Sequence, residues 1–152
     1  MRDLVKALKA LSDETRLRIM NLLLERECCV CEVMQALNIS QSRASRNLNA
    51  LYDAGFLKLR RQGLWALYSL DEERLGGYYW HLIRAVAKAL EGNETALQDR
   101  RRLKNARRAV PSCGMRRANQ NTSPIRLIRH LYRLRRQGID FKNWRALRRS
   151  TS

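Results

Sequence analysis

"SQSRASRNLNALYDAGFLKLRRQGLWALYSL", Ser40 to Leu70, changes its period halfway. In the first half Ala44, Leu48 and Leu51 recur at helical spacing and define one inward face. Ser40 stands where an N-cap hydroxyl belongs, and Gly55 follows the last turn as a stop, so the spacing predicts a helix to about Asp53. From Phe56 the apolar side chains alternate instead. "FLKLRR" and "LWALYSL", on either side of Gln62–Gly63, read as a short antiparallel hairpin.

Reading toward the N-terminus, "NIS" at Asn38–Ser40 makes a tight turn after a short helix over Cys29–Leu37. Before it, "DETRLRIMNLLL" forms a helix that buries Leu17, Met20, Leu23 and Leu24, with Ser12 as its N-cap and Asp13 and Glu14 in its first turn. "RDLVKALKAL" carries Leu4, Val5, Leu8 and Leu11 on one stripe. Downstream, Asp71, Glu72 and Glu73 open another helix, weakened by Gly76 and Gly77. It strengthens in "YYWHLIRAVAKAL" and ends near Gly92. The order helix, turn, helix, hairpin is the plan of a winged helix-turn-helix. The expected fold is therefore mainly α with a small β-hairpin, dimeric, and followed by a basic C-terminal tail.

Charge divides the chain. The formal net charge is +17, but residues 1–96 carry fourteen Lys and Arg against twelve acids, whereas residues 97–152 carry seventeen against two. The expected domains are 1–96, for DNA binding and dimerisation, and 97–152, a partly disordered basic extension of the kind that attracts polyanions. Within it, Ile125, Ile128, Leu131 and Leu134 allow a basic amphipathic helix. No apolar run approaches the roughly 20 residues of a membrane span, and Met1 leads into an amphipathic pattern, not a signal peptide. A cytoplasmic protein without a membrane partner is expected. No nucleophile lies beside a histidine, and no carboxylate pair or glycine-rich phosphate loop occurs, so the composition argues against an enzyme.

If the second helix of the motif enters the major groove, its outward face presents Gln41, Ser42, Ser45, Arg46 and Asn49. Arg46 suits a guanine edge, Gln41 or Asn49 an adenine, and the serines bases or phosphates. Arg43 lies at the flank, in reach of phosphate. Lys58, Arg60 and Arg61 give the hairpin a basic surface of the kind that grips a DNA backbone. A domain this small reads a palindrome only as a dimer, and Leu4, Val5, Leu8 and the helix from Tyr78 hold apolar surface for that contact.

"ERECCVCEVM" gathers Cys28, Cys29 and Cys31, three of the four cysteines; the fourth is Cys113. In a reducing compartment they are candidates for soft-ion ligands before disulfides. The amino end of a helix is expected to lower their pKa. On an ideal helix Cys28 and Cys31 share a side, while Cys29 and Cys31 stand about 200° apart, so joint binding by the latter pair predicts a distorted first turn. His81 and His130 form no pair with metal spacing.

"LSDETRLRIMNLL" and "ECCVCEVMQALNISQSRASRNLNALYDAGFLKLRRQGLWALYSL" together resemble the ArsR/SmtB family of bacterial metal-sensing repressors, over about residues 3–92. "ECCVCEV" is similar to that family's Glu-Leu-Cys-Val-Cys-Asp-Leu box. The resemblance implies a homodimer that binds an inverted repeat in double-stranded operator DNA, needs no cofactor to do so, and leaves when arsenite or antimonite binds. It maps the Cys-Val-Cys ligands onto Cys29 and Cys31. Met34 stands where a third cysteine often lies, and its side chain reads as core packing. Cys28 replaces the box leucine, and Asn47 stands where many members have histidine. Cys28 and Cys113 are thus the alternatives for the third ligand. Other readings are a cadmium, lead or zinc sensor, a thiol-redox sensor of the same fold, and a constitutive basic nucleic-acid-binding protein.

Overall fold

The computed structural model describes residues 1–71, 73 and 77–108. Cys113, His130 and the amphipathic pattern at 125–134 lie outside the described residues. The elements are α1 (Arg2–Leu11), α2 (Glu14–Glu25), α3 (Val30–Leu37), α4 (Gln41–Asp53), β1 (Leu57–Gln62), β2 (Trp65–Leu70), α5 (Tyr78–Ala89) and α6 (Glu94–Asn105). This is a winged helix-turn-helix. No helix among the described residues is long and apolar enough to cross a membrane.

Local chemistry places the boundaries. Asp13, not Ser12, caps α2 by accepting the Arg16 N–H at 2.9 Å; Ser12 instead closes α1, its hydroxyl donating to the Lys9 carbonyl at 2.8 Å. Asn38 ends α3 in the left-handed conformation (φ 54°), and Ser40 starts α4 by accepting the Arg43 N–H at 3.3 Å. Gly55 (φ 84°) ends α4: its own N–H bonds Tyr52 O at 2.9 Å and the Phe56 N–H bonds Leu51 O at 3.1 Å. The hairpin pairs Leu57 with Leu70 and Gln62 with Trp65, turning at Gly63 and Leu64.

The core is built from Ile19, Met20, Leu22 and Leu23 of α2, Val33, Ala36 and Leu37 of α3, and Ala44, Leu48 and Leu51 of α4, closed by Phe56, Leu70, Trp80 and Ile83. Met34 packs against this core. Leu17 is half-buried, since Ile19 and Leu22 take inward positions that its stripe omitted. Ala7 and Ala10 are the buried residues of α1, while Leu4, Val5 and Leu8 are exposed.

Two expectations change. α5 starts at Tyr78 behind Gly77, not at the acidic residues 71–73; Glu72 and Gly76 lie outside the described residues. The boundary expected between residues 96 and 97 falls inside α6, and residues 97–105, assigned to the basic extension, are helical. Asn93 caps α6 by accepting the Ala96 N–H at 3.0 Å. Ala96, Asp99 and Leu103 form its buried face, packed on α2 and α3. Asp99 is fully buried because Arg18 pairs with it through two hydrogen bonds, at 2.7 and 2.9 Å.

Candidate nucleic-acid interface and thiol site

The inward stripe of α4 leaves Gln41, Ser42, Arg43, Arg46 and Asn49 exposed and Ser45 half-buried. The face is partly organised by its own bonds. Arg43 reaches back to the Thr15 hydroxyl at 2.9 Å, Arg46 Nε donates to Ser42 O at 3.4 Å, and Asn47 Nδ2 donates to Arg43 O at 2.9 Å. Lys58, Arg60 and Arg61 are exposed on β1. Arg60 is already engaged: both its Nε, at 2.8 Å, and its Nη2 donate to the Glu27 carboxylate.

The cysteine segment differs from the helix expected over Cys29–Leu37. Cys29 is the N-cap of α3, in extended conformation, and Cys28 lies outside the helix altogether. Cys28 instead makes an antiparallel bridge to the wing: its N–H donates to Tyr68 O at 3.0 Å, and its carbonyl accepts the Tyr68 N–H at 2.9 Å. The ideal-helix geometry therefore does not apply. An N-cap side chain is not bound to the 100° step of the helix, so the Cys29 thiol lies close enough to that of Cys31 to feel it across the first turn. Cys28 and Cys29 are buried and Cys31 is half-buried; all three are free thiols. Among the described residues no three His, Cys, Asp or Glu side chains are grouped to hold a metal ion. Cys29 and Cys31 lie near each other across the start of α3, Cys28 precedes them in sequence, and Cys113 lies outside the described residues.

At Cys28 and Cys29 the expected fall in thiol pKa is reversed. Burial pushes the Cys28 thiol up to about 12, outweighing the nearby guanidinium groups of Arg26 and Arg108. Burial, and secondarily the Cys31 hydrogen bond, push Cys29 up as well. The Cys28 thiol donates to Arg26 O at 3.4 Å, as a protonated group does. The positive end of α3 is meanwhile occupied by Glu32, whose Oε2 accepts the Cys29 N–H at 2.9 Å.

Glu32 is a hub that the sequence reading passed over. It is buried, and it also accepts from Arg26 at 2.6 Å and Arg108 at 3.4 Å. Arg26 continues to Leu103 O at 3.1 Å, and Gln35 exchanges bonds with the Arg107 backbone at 2.7 and 3.0 Å. The segment after α6 is thereby held against the start of α3. The capping-box spacing Cys29–Glu32 was the available signal. Tyr68 is the other missed residue: its hydroxyl donates to Asn49 Oδ1 at 3.1 Å, joining wing to α4.

Comparison with known proteins agrees with this geometry. Residues 13–63 match the description of the arsR family of bacterial regulatory proteins. The arsenic resistance transcriptional regulator ArsR2 of Pseudomonas putida is 43% identical over 99 residues, which cover 64% of this chain and 83% of that protein. A cadmium resistance transcriptional regulatory protein, the CadC homolog of Staphylococcus aureus, is 43% identical over 74 residues, 48% of this chain; the chain spans only 61% of that relative's length. Among solved structures, the homodimeric winged helix-turn-helix DNA-binding domain of a possible ArsR-family regulator from Mycobacterium bovis superposes with a TM-score of 0.51 at 27% identity, covering 61% of this chain and 82% of that one.

Proposed function

The chain belongs to the arsR family of bacterial regulatory proteins, winged-helix transcriptional repressors and not enzymes, and from that premise we propose that it holds operator DNA as a homodimer and releases it when arsenite or antimonite binds its cysteine cluster. The observation that carries the inducer assignment is the cluster of free thiols at the mouth of α3, with Cys29 at its N-cap close to Cys31, Cys28 next in sequence, and Cys28 and Cys29 buried. Arsenous acid is a neutral hydroxide. Each protonated thiol that replaces a hydroxyl forms one As–S bond and releases one water, so a three-sulfur product carries no charge.

A dication behaves differently. Cadmium, zinc or lead takes thiolates, so three protons must leave and a net negative complex must sit in the site. Burial that drives Cys28 to about 12 opposes that outcome. It opposes redox sensing as well, because oxidation proceeds through thiolate. Cys29 and Cys31 supply two sulfurs, and Cys28 or Cys113 the third. Gln41, Ser42, Ser45, Arg46 and Asn49 read bases, while Arg43, Lys58, Arg60 and Arg61 hold the backbone. Exposed Leu4, Val5 and Leu8 meet their copies in the dimer. The basic residues beyond 108 add sequence-independent affinity in the cytoplasm, where the operator is.

Anisotropy of a fluorescent operator duplex, titrated with arsenite, tests this reading. Wild type is expected to lose about 5- to 150-fold in affinity, a coupling of about 1–3 kcal/mol. Cys29→Ser and Cys31→Ser are expected to hold DNA at every arsenite concentration. Release by either variant, or stronger release by cadmium, overturns it.

A further inference from the structure

The segment that bears the thiols is also bridged to the wing. Cys28 pairs in both directions with Tyr68, at 3.0 and 2.9 Å, and Tyr68 in turn stands opposite Leu59 of β1. Glu27, one residue earlier, holds Arg60 of the same hairpin through both carboxylate oxygens. Cys29, one residue later, caps α3. The peptide between Cys28 and Cys29 therefore divides a part tied to the wing from a part tied to the helix.

From Tyr68 a single side-chain bond completes the path. Its ring is buried at the junction of β2 and α4, and its hydroxyl donates to Asn49 Oδ1 at 3.1 Å on the exposed face of α4. The alternative route, from α3 to α4, runs through Val33, Ala36, Leu37, Ala44 and Leu48. Apolar contacts of that kind are non-directional and tolerate small displacements. Peptide hydrogen bonds are directional: they weaken steeply when the N–H turns off axis and are lost when the atoms separate by about half an ångström or more beyond their normal distance.

We infer that Tyr68 is the positioning residue through which the thiol site acts on DNA: drawing Cys29 toward Cys31 breaks the Cys28–Tyr68 bridge, and the Tyr68–Asn49 bond that sets the wing against α4 goes with it. The inference rests on the thiol site proposed above and specifies how that site is read out. It does not require Cys28 to be a ligand, because its backbone is displaced whichever sulfur completes the set.

Two measurements on the full chain test it. The probe is a fluorescent duplex carrying the inverted repeat that wild type selects from a random library, with sodium arsenite as inducer. Tyr68→Phe removes only the hydroxyl. It is expected to bind arsenite as wild type does, followed by loss of titratable thiol, to bind the free duplex on the order of fivefold more weakly, and to lose most of the arsenite-dependent fold-change. A merely structural role would lower the melting temperature and leave that fold-change intact. An unchanged fold-change in a variant that binds arsenite overturns the inference while leaving the thiol site standing; failure of wild type to bind arsenite through Cys29 and Cys31 removes the site itself. The second measurement needs no variant. Hydrogen exchange on wild type is expected to show the Cys28 and Tyr68 amides protected without arsenite and fast with it; continued protection overturns the inference.

Discussion

Replacing Arg18 by methionine removes the cation that faces the buried carboxylate of Asp99. The Asp99 side chain has no exposed surface, and Arg18 donates to both of its oxygens, at 2.7 and 2.9 Å. What is left is Arg102, at 3.7 Å with a side chain 48% exposed, too distant for a normal hydrogen bond. Removing one partner of a buried pair costs about 3–5 kcal/mol, because the other charge is stranded. The reverse replacement, Asp99→Leu, strands a guanidinium that is one-fifth exposed and keeps its bond to Leu37 O at 3.3 Å. Water screens that charge, so a loss of about 1–3 kcal/mol is expected. The double variant leaves no buried charge and is expected to recover most of the larger loss, a coupling of about 2 kcal/mol or more. Urea unfolding followed by circular dichroism, with equal slopes across the four proteins, measures the cycle. Equal costs for the two single variants, or additive costs in the double, would refute the assignment of Asp99 as the sealed member and of α6 as part of the folded unit.

Three further outcomes follow from the site. The Cys28 thiol is raised from its ordinary value near 9 to about 12, so the folded state holds a proton that the unfolded state gives up; its share of the stability is present in full below pH 9 and falls between about 9 and 12, by about 1.4 kcal/mol for each pH unit, and because Cys29 is raised too, Cys28→Ala is expected to make that limb shallower without abolishing it in urea titrations. Leu8→Asp places a charge among the exposed Leu4, Val5 and Leu8; sedimentation is expected to show monomer at concentrations where wild type is dimeric, with an unchanged helical spectrum. Arg46→Ala is expected to weaken the selected duplex by roughly 5- to 150-fold, the equivalent of about 1–3 kcal/mol, while binding to random duplex changes little; equal loss on both would make Arg46 a phosphate contact.

The winged motif was legible because its helical and alternating stripes are long and its caps are chemically explicit. Ala44, Leu48 and Leu51 turn inward as their spacing predicts, and the hairpin turns at Gly63. α6 was hidden because its buried face contains a carboxylate. Ala96, Asp99 and Leu103 do not read as an apolar stripe until Arg18, 81 positions away, is seen to neutralise the middle member. The same limit applies to the thiol site. The cluster and its soft-ligand chemistry were readable from Cys28, Cys29 and Cys31, but helical periodicity assigned Cys28 to a helix when its backbone belongs to the wing. Strand pairing to Tyr68 is a long-range contact that local spacing does not encode.

The reversal of the thiol pKa bears on what the site selects. A helix amino end lowers a thiol's pKa only when its N–H groups and partial positive charge face the sulfur. Here the Glu32 N–H does face the Cys29 sulfur and pulls its pKa down, and Arg26 and Arg108 pull on Cys28, but the Glu32 carboxylate draws both guanidinium groups and burial outweighs these pulls. Cys28 and Cys29 are left with burial as the dominant influence, which favours S–H over S⁻. A site built to capture a dication needs its positive groups aimed at sulfur, so that thiolates are ready before the ion arrives. This one aims them chiefly at a carboxylate and keeps its two buried sulfurs neutral, which suits a neutral hydroxide that brings its own leaving groups and carries the protons away as water. On this view Glu32→Gln frees two guanidinium groups beside the thiols and shifts the balance toward thiolate. Cadmium is then expected to gain on arsenite as an inducer, and competition between the two ions for thiols at fixed pH measures the shift. A ratio unmoved by the substitution would detach ligand choice from the charge arrangement around Glu32.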